Sequence, residues 1–329
     1  MATHSIGGRL EKGPSAGAPP GTAGGPRRRP APRAGRRRAT RTHPALWLFP
    51  LPAVVLYAVF FAAPTVQAFQ YAVTDWDGIS AAFNSVGARN FGTIATNDDL
   101  FRRALTNNLQ FLLVVVVLQT ALALVLALLL QRNSRASTAL RALYFLPAIL
   151  SSVSVAFVWK FVYDPNFGLV NQVLGGIGLD GLRSAFLGDA DKAIYWVAIT
   201  QVWAHAGQLM IIFIAGLQQI PRELYESADL DGAGRWQRFR YITWPMIAPA
   251  TAIVIAYTTI QSFKAFDLIL GLGGNPPKGS LDILSTRIYT TFTNSQYGYA
   301  AAESVLFMII IALVSLLQRR AVKLTQRTA

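Results

Sequence analysis

Six polar or ionisable side chains interrupt otherwise apolar sequence: Gln201, His205 and Gln208 in one run, Gln261, Lys264 and Asp267 in another. The first three follow steps of four and three, so on a helix they share one stripe. Such a stripe can hydrogen-bond a neighbouring helix or the hydroxyls of a polar solute. Trp196 and Trp203 lie close along the chain, and their ring faces beside those amides would suit a carbohydrate. Lys264 and Asp267 are three apart, the spacing of a same-face pair that can neutralise itself; a structural pair and a solute-facing role both fit. No catalytic set accompanies them. His4, His43 and His205 are far apart and there is no cysteine, which excludes disulfides and thiolate metal sites. A phosphate loop needs Gly, four residues, then Gly-Lys-Ser/Thr. The nearest run, from Gly274 to Lys278, Gly279 and Ser280, has the wrong order. No catalytic residue, metal or cofactor is therefore expected on this chain.

A third polar group lies between two apolar runs, from Pro221 to Pro245. Pro221 can start a helix, where its missing N–H is harmless. Glu223, Glu226 and Asp229 follow at three-residue steps as one acidic face, with Leu224, Tyr225 and Ala228 as an apolar contact surface. Asp231, Gly232 and Ala233 follow, and glycine allows the positive φ of a sharp turn. A second short helix is expected over 234–241, carrying Arg235, Arg238, Phe239 and Arg240, and Pro245 should start the next apolar run. The segment is either a solvated hairpin or a docking surface.

The elements that must hold these groups are membrane helices. Of 329 residues, 53% are apolar and 14% charged, where a soluble domain carries about a quarter charged. Six runs, near 45–65, 106–130, 139–162, 194–217, 246–269 and 300–317, approach or exceed the roughly 20 residues a helix needs to cross hydrocarbon. Backbone amides find no water in lipid, so runs of this length must be helices. Pro147 predicts a kink rather than a break in the third. The expected fold is an all-α membrane protein with six transmembrane helices.

Charge sets the expected orientation. The net charge is +14, and ten of the 30 Lys and Arg precede residue 42, opposed only by Glu11. Lys and Arg near span ends stay cytoplasmic, so the basic tail, segment 131–138, segment 218–245 and the C-terminal tail all fall inside. Asp75, Asp77, Asp98, Asp99, Asp164, Asp180, Asp189 and Asp191 then fall outside. This distribution argues against a nucleic-acid partner. Residues 1–43 are rich in Pro, Gly, Ala and Arg, a composition that cannot offset its ordering entropy, so disorder is expected. The first span reads as an uncleaved helix. An ATP-independent carrier or channel and a membrane-embedded enzyme are the rival classes; no internal repeat supports the first, and no clustered acid, base or metal set supports the second.

The run Glu226 to Pro245 has Glu-x-Ala, Gly232 four after Ala228, Ile242 ten after that glycine and Pro245 three later. This pattern resembles the "EAA" loop of permease subunits from binding-protein-dependent ABC importers, although Ser227 stands where that family has Ala and Trp244 where it has Leu. More widely, 104–317 resembles the ABC transporter type-1 transmembrane domain, narrowly that of maltose- and glycerol-3-phosphate-type permeases. Matching stretches are Asp164 to Asn171, Phe263 to Asp267, Gly273 to Pro276, and Tyr297 to Ala302. The resemblance implies the type I importer permease fold, with a first helix and external loop over 44–103, the permease domain over 104–317, and a cytoplasmic tail over 318–329. It implies a bacterial cell membrane, a second similar permease subunit, and an extracytoplasmic binding protein that delivers a sugar. It also implies an ATPase dimer that docks at 221–245. In that reading Glu223, Glu226, Ala228, Asp229, Asp231, Gly232, Ala233, Phe239 and Pro245 couple to the ATPase, which uses the ATP, while a non-sugar solute such as glycerol-3-phosphate stays open.

Overall fold

A computed structural model describes residues 48–328. Contacts divide the chain into Met1–Pro52 and a compact unit, Ala53–Ala329. The basic tail expected to be disordered, 1–43, lies outside the described residues.

Every regular element among the described residues is helical, apart from one isolated bridge between Thr74 and Ser85. Helix α1 (Leu51–Tyr71) is apolar enough to span a membrane, and none of its residues is buried. Short α2 (Arg89–Asn97) leads to α3 (Asp99–Leu130), whose first turn is capped by Asp98 accepting from the Phe101 N–H at 2.8 Å. Helix α3 packs along α7 (Ala193–Gln218). Phe111 and Val115 of α3 meet Val197 and Ala198 near one end; Ala123, Ala127 and Leu130 meet Leu209, Phe213 and Leu217 near the other. Small residues at these contacts let helices approach where lipid supplies no hydrophobic drive.

The third predicted span is broken, not kinked. Helix α4 (Arg135–Phe145) tightens into a 3₁₀ turn at Leu146–Ile149, and α5 (Ser152–Val162) restarts at 99° to it. Pro147 lacks the N–H that would continue α4, and the Ser151 hydroxyl accepts from the Ser154 N–H at 3.1 Å, capping a fresh helix. After α6 (Leu169–Gly176) and α7 comes α8 (Arg222–Leu230), with Pro221 at its N-cap rather than its first turn.

The fifth span is also redrawn. Helix α9 (Arg235–Met246) contains a π stretch at Phe239–Thr243 and bends by 64° into α10 (Ala248–Phe263). The second hairpin helix therefore runs past 241, and Pro245 belongs to it; the span begins three residues later. It ends at Phe263, and α11 (Phe266–Gly273) starts anew. Helix α12 (Leu284–Thr293) and α13 (Tyr297–Thr328) complete the chain, α13 continuing through most of the expected C-terminal tail. Counting each bent pair as one, six crossings result, four by single helices.

A buried ionic cluster joins α3, α12 and α13 at one end of the bundle. Arg287 approaches Asp98 at 3.7 Å and Glu303 at 3.3 Å, and the Tyr299 hydroxyl donates to Asp98 at 2.8 Å. Glu303 is 0% exposed. Nearby Asp282 is held above the usual carboxylate range by burial, partly offset by the Thr286 hydroxyl and Arg287.

Candidate solute cavity and polar hairpin

The stripe on α7 meets α10 across a cavity of about 200 Å³. Gln201 and His205 line it from α7, Tyr257, Ile260 and Gln261 from α10, and Ser152 from the start of α5. Lys264, Ala265 and Leu268 close the end where α10 gives way to α11. Both helix breaks thus border the cavity, Ser152 at the start of α5 and Lys264 at the end of α10. Gly207 fixes the other approach. A β-carbon on it would come within 1.9 Å of the Tyr144 carbonyl oxygen, so only glycine lets α4 press on α7 beside the stripe.

Hydrogen bonds orient the lining. The buried Gln119 amide donates to Gln261 Oε1 at 3.1 Å, leaving the Gln261 NH₂ free of that bond. Gln208 Nε2 donates to the Tyr257 hydroxyl at 3.0 Å, so Gln208 acts on the cavity through Tyr257 rather than lining it. His205 Nδ1 lies 3.2 Å from the Gln201 carbonyl oxygen. The cavity therefore offers two amides, an imidazole, a phenol, a serine hydroxyl and an ammonium group beside apolar walls. Groups of these kinds can hydrogen-bond hydroxyls while the apolar walls meet a ring face.

Four of the six sequence-predicted residues, Gln201, His205, Gln261 and Lys264, come together here, with Gln208 one bond behind. Asp267 does not. It sits in the first turn of α11, across the break from Lys264, and among the described residues the two make no ion pair. The same-face argument assumed one helix through both positions. The tryptophans also turn elsewhere: Trp203 packs edge-on against Trp159, and Trp196 against Phe186 and Tyr163. Tyr257 was missed, although its position four before Gln261 places it on the same helical stripe. Ser152 depends on the break itself. Among the described residues no three His, Cys, Asp or Glu cluster as metal ligands.

The second site is the hairpin α8–α9. Gly232 has φ +73° with open space around its α-carbon, so backbone conformation, not crowding, requires glycine there. The Ala233 N–H donates to the Ala228 carbonyl at 2.9 Å, closing the turn. Asp229 pairs with Arg238 across the hairpin, and the Tyr225 hydroxyl lies 2.9 Å from Thr243 Oγ1. Asp229 is thereby committed to holding the hairpin, while Glu223 and Glu226 remain exposed on α8. Phe239 is half-buried and stacked on Trp236. No residue of α8 is buried, which leaves this polar, rigidly turned helix open to a partner.

Residues 119–326 match the family described as binding-protein-dependent transport system inner membrane component. The chain belongs to this family. A probable ABC transporter permease protein of Pyrococcus horikoshii is 35% identical over 274 residues, covering 83% of this chain and 94% of that protein. The multiple sugar-binding transport system permease protein of Streptococcus mutans is 33% identical over 273 residues, covering 83% and 93%. The crystal structure of a bacterial ABC transporter involved in the import of the acidic polysaccharide alginate matches with a TM-score of 0.74 at 25% identity, over 85% of this chain and 95% of that one. As a family member the chain is a multi-pass transport permease, with the type I importer fold, and not an enzyme.

Proposed function

We propose that this permease is one of two similar membrane subunits of an ATP-driven sugar importer. An external binding protein hands the sugar to it, and an ATPase dimer docks on the α8–α9 hairpin and hydrolyses the ATP. The observation that carries the reading is the cavity between α7 and α10. Its donors and acceptors suit sugar hydroxyls, and at about 200 Å³ it is smaller than the roughly 300–1,000 Å³ of a complete small-molecule site, as half of a pathway shared with a second subunit would be. The relatives support the substrate class, since one is named for diacetylchitobiose uptake in Streptomyces coelicolor and is 33% identical over 282 residues. Another alginate importer structure holds a periplasmic protein bound to an alginate pentasaccharide.

In this reading Glu223, Glu226, Ala228, Asp231, Gly232 and Ala233 present the docking helix; Asp229, Phe239 and Pro245 shape the hairpin beneath it. Gln201, His205, Gln208, Gln261 and Lys264 serve the solute path, and both termini are cytoplasmic. The permease domain occupies 104–317, preceded by the first helix with its external loop and flanked by cytoplasmic tails. Uptake of labelled oligosaccharides into vesicles holding both permeases, the ATPase and the binding protein tests it. Tyr257→Phe and Gln261→Ala should alter the sugar concentration for half-maximal uptake while leaving ATPase association intact. Sugar uptake that needs no ATP would overturn the reading.

A further inference from the structure

We infer that α9 is a membrane-interface anchor that binds anionic phospholipid headgroups. The inference rests on α10 crossing the membrane, not on the coupling role of α8. Helix α9 leaves α10 at 64°, so where α10 runs near the membrane normal, α9 lies closer to the membrane plane than to the normal. It sits at the boundary itself, one residue before the span. Its two sides are unlike. One side is tied to α8 by the Arg238–Asp229 pair and by the contact of Thr243 with Tyr225. The other presents Trp236, Arg240 and Trp244 at four-residue steps, which stack as one stripe.

Trp236 is 72% exposed and Tyr241 74%, too much aromatic surface for a helix meant only to face water. Trp and Tyr belong at headgroup depth, where a ring is half in apolar surroundings and half wet. Arg240 lies 6.0 Å from the Tyr241 ring centroid, and among the described residues neither Arg235 nor Arg240 has an ion-pair partner. Two unpaired guanidinium groups beside interfacial rings match lipid phosphate in charge and in hydrogen-bond geometry. An amphipathic, basic, Trp-bearing helix is the form that lies in an interface rather than across it. Anchored so, α9 would hold the hairpin at a fixed height, and α8 with it.

The absence of cysteine makes the test direct, because one introduced thiol carries one fluorophore. The full chain is labelled at Tyr241→Cys, which keeps Trp236, and separately at Leu230→Cys on α8, then placed in nanodiscs without the ATPase. The label at 241 should be quenched by nitroxide-labelled phosphatidylglycerol and protected from aqueous iodide, and the label at 230 should behave the opposite way. Phosphatidylglycerol should quench the 241 label more than phosphatidylcholine does. Arg235→Gln with Arg240→Gln should reduce that preference, by roughly fivefold per charge removed. Equal iodide access at 241 and 230 overturns the proposal. Protection at 241 that develops only when the ATPase is added assigns this face to the ATPase instead. An unchanged phosphatidylglycerol preference in the arginine variant overturns the headgroup assignment.

Discussion

Arg287 touches both Asp98 and Glu303, two carboxylates in surroundings that exclude most water. Buried charge is tolerable when paired, and removing one partner strands the rest at a cost of about 3–5 kcal/mol. Arg287→Met should therefore lower the thermal midpoint of the detergent-solubilised protein sharply, while Arg287→Met combined with Glu303→Leu should recover part of it. A double variant no more stable than the single one would show that the cluster is not energetically coupled. Gly207→Val makes a second case: its side chain meets the Tyr144 carbonyl, so α4 must move off α7, and uptake should fall more than stability. Residues of this kind differ in how far a sequence reveals them. Gln201 and His205 were legible because a polar stripe in an apolar helix has few explanations. The Asp98–Arg287–Glu303 cluster was not, because its members are 189 and 16 residues apart and no periodicity joins them.

At the scale of elements, the helix breaks decide the site. Length and hydropathy located six apolar runs, since the period of a membrane helix is insensitive to one unusual residue. They did not locate the break at 150–151 or the one at 264–265, which depend on local capping: Ser151 accepting from Ser154, and the Lys264 N–H turning back to the Ile260 and Gln261 carbonyls. The Lys264–Asp267 pairing failed for that reason. The α8–α9 turn was legible because Gly232 with flanking acids and bases has a turn chemistry of its own. It also carries the sharpest expectation. Pro at 232 cannot adopt φ +73°, and Glu226→Arg reverses charge on an exposed helix face. Both variants should insert normally yet lose co-purification with the ATPase and lose sugar uptake. Retention of both properties would remove the hairpin from the coupling path. Asp229→Asn should act more mildly, because it weakens only the pair with Arg238.

For the whole molecule, packing groups the chain's loops and helix ends at two ends of the bundle, and their charge differs. Leu130 at the end of α3, Leu217 and Ile220 at the end of α7, and Ile247 before α10 pack into one cluster, with Tyr225 against it. Ile94, Phe101, Leu284 and Ala302 pack into another. The first cluster lies beside Arg132, Arg135 and the arginines of the hairpin; beside the second, Asp98, Asp99 and Glu303 are mixed with Arg102, Arg103 and Arg287. The bundle is therefore basic at one end and mixed in charge at the other, the asymmetry that retention of Lys and Arg on the cytoplasmic side predicts. Six crossings return the chain to the basic end, where α13 carries Arg319 and Arg320. If either bent pair were re-entrant instead of spanning, the segments downstream would change sides: a re-entrant α4–α5 pair would put both the hairpin and the C-terminal tail outside, a re-entrant α9–α10 pair only the tail. Topology reporters at Gly181, Gly234 and Arg320 distinguish these cases. Six crossings with the basic end inside give an external signal at Gly181 and internal signals at Gly234 and Arg320. A re-entrant α4–α5 pair moves Gly181 to the cytoplasmic side, and a re-entrant α9–α10 pair moves Arg320 to the external side, so each failure names the helix pair responsible.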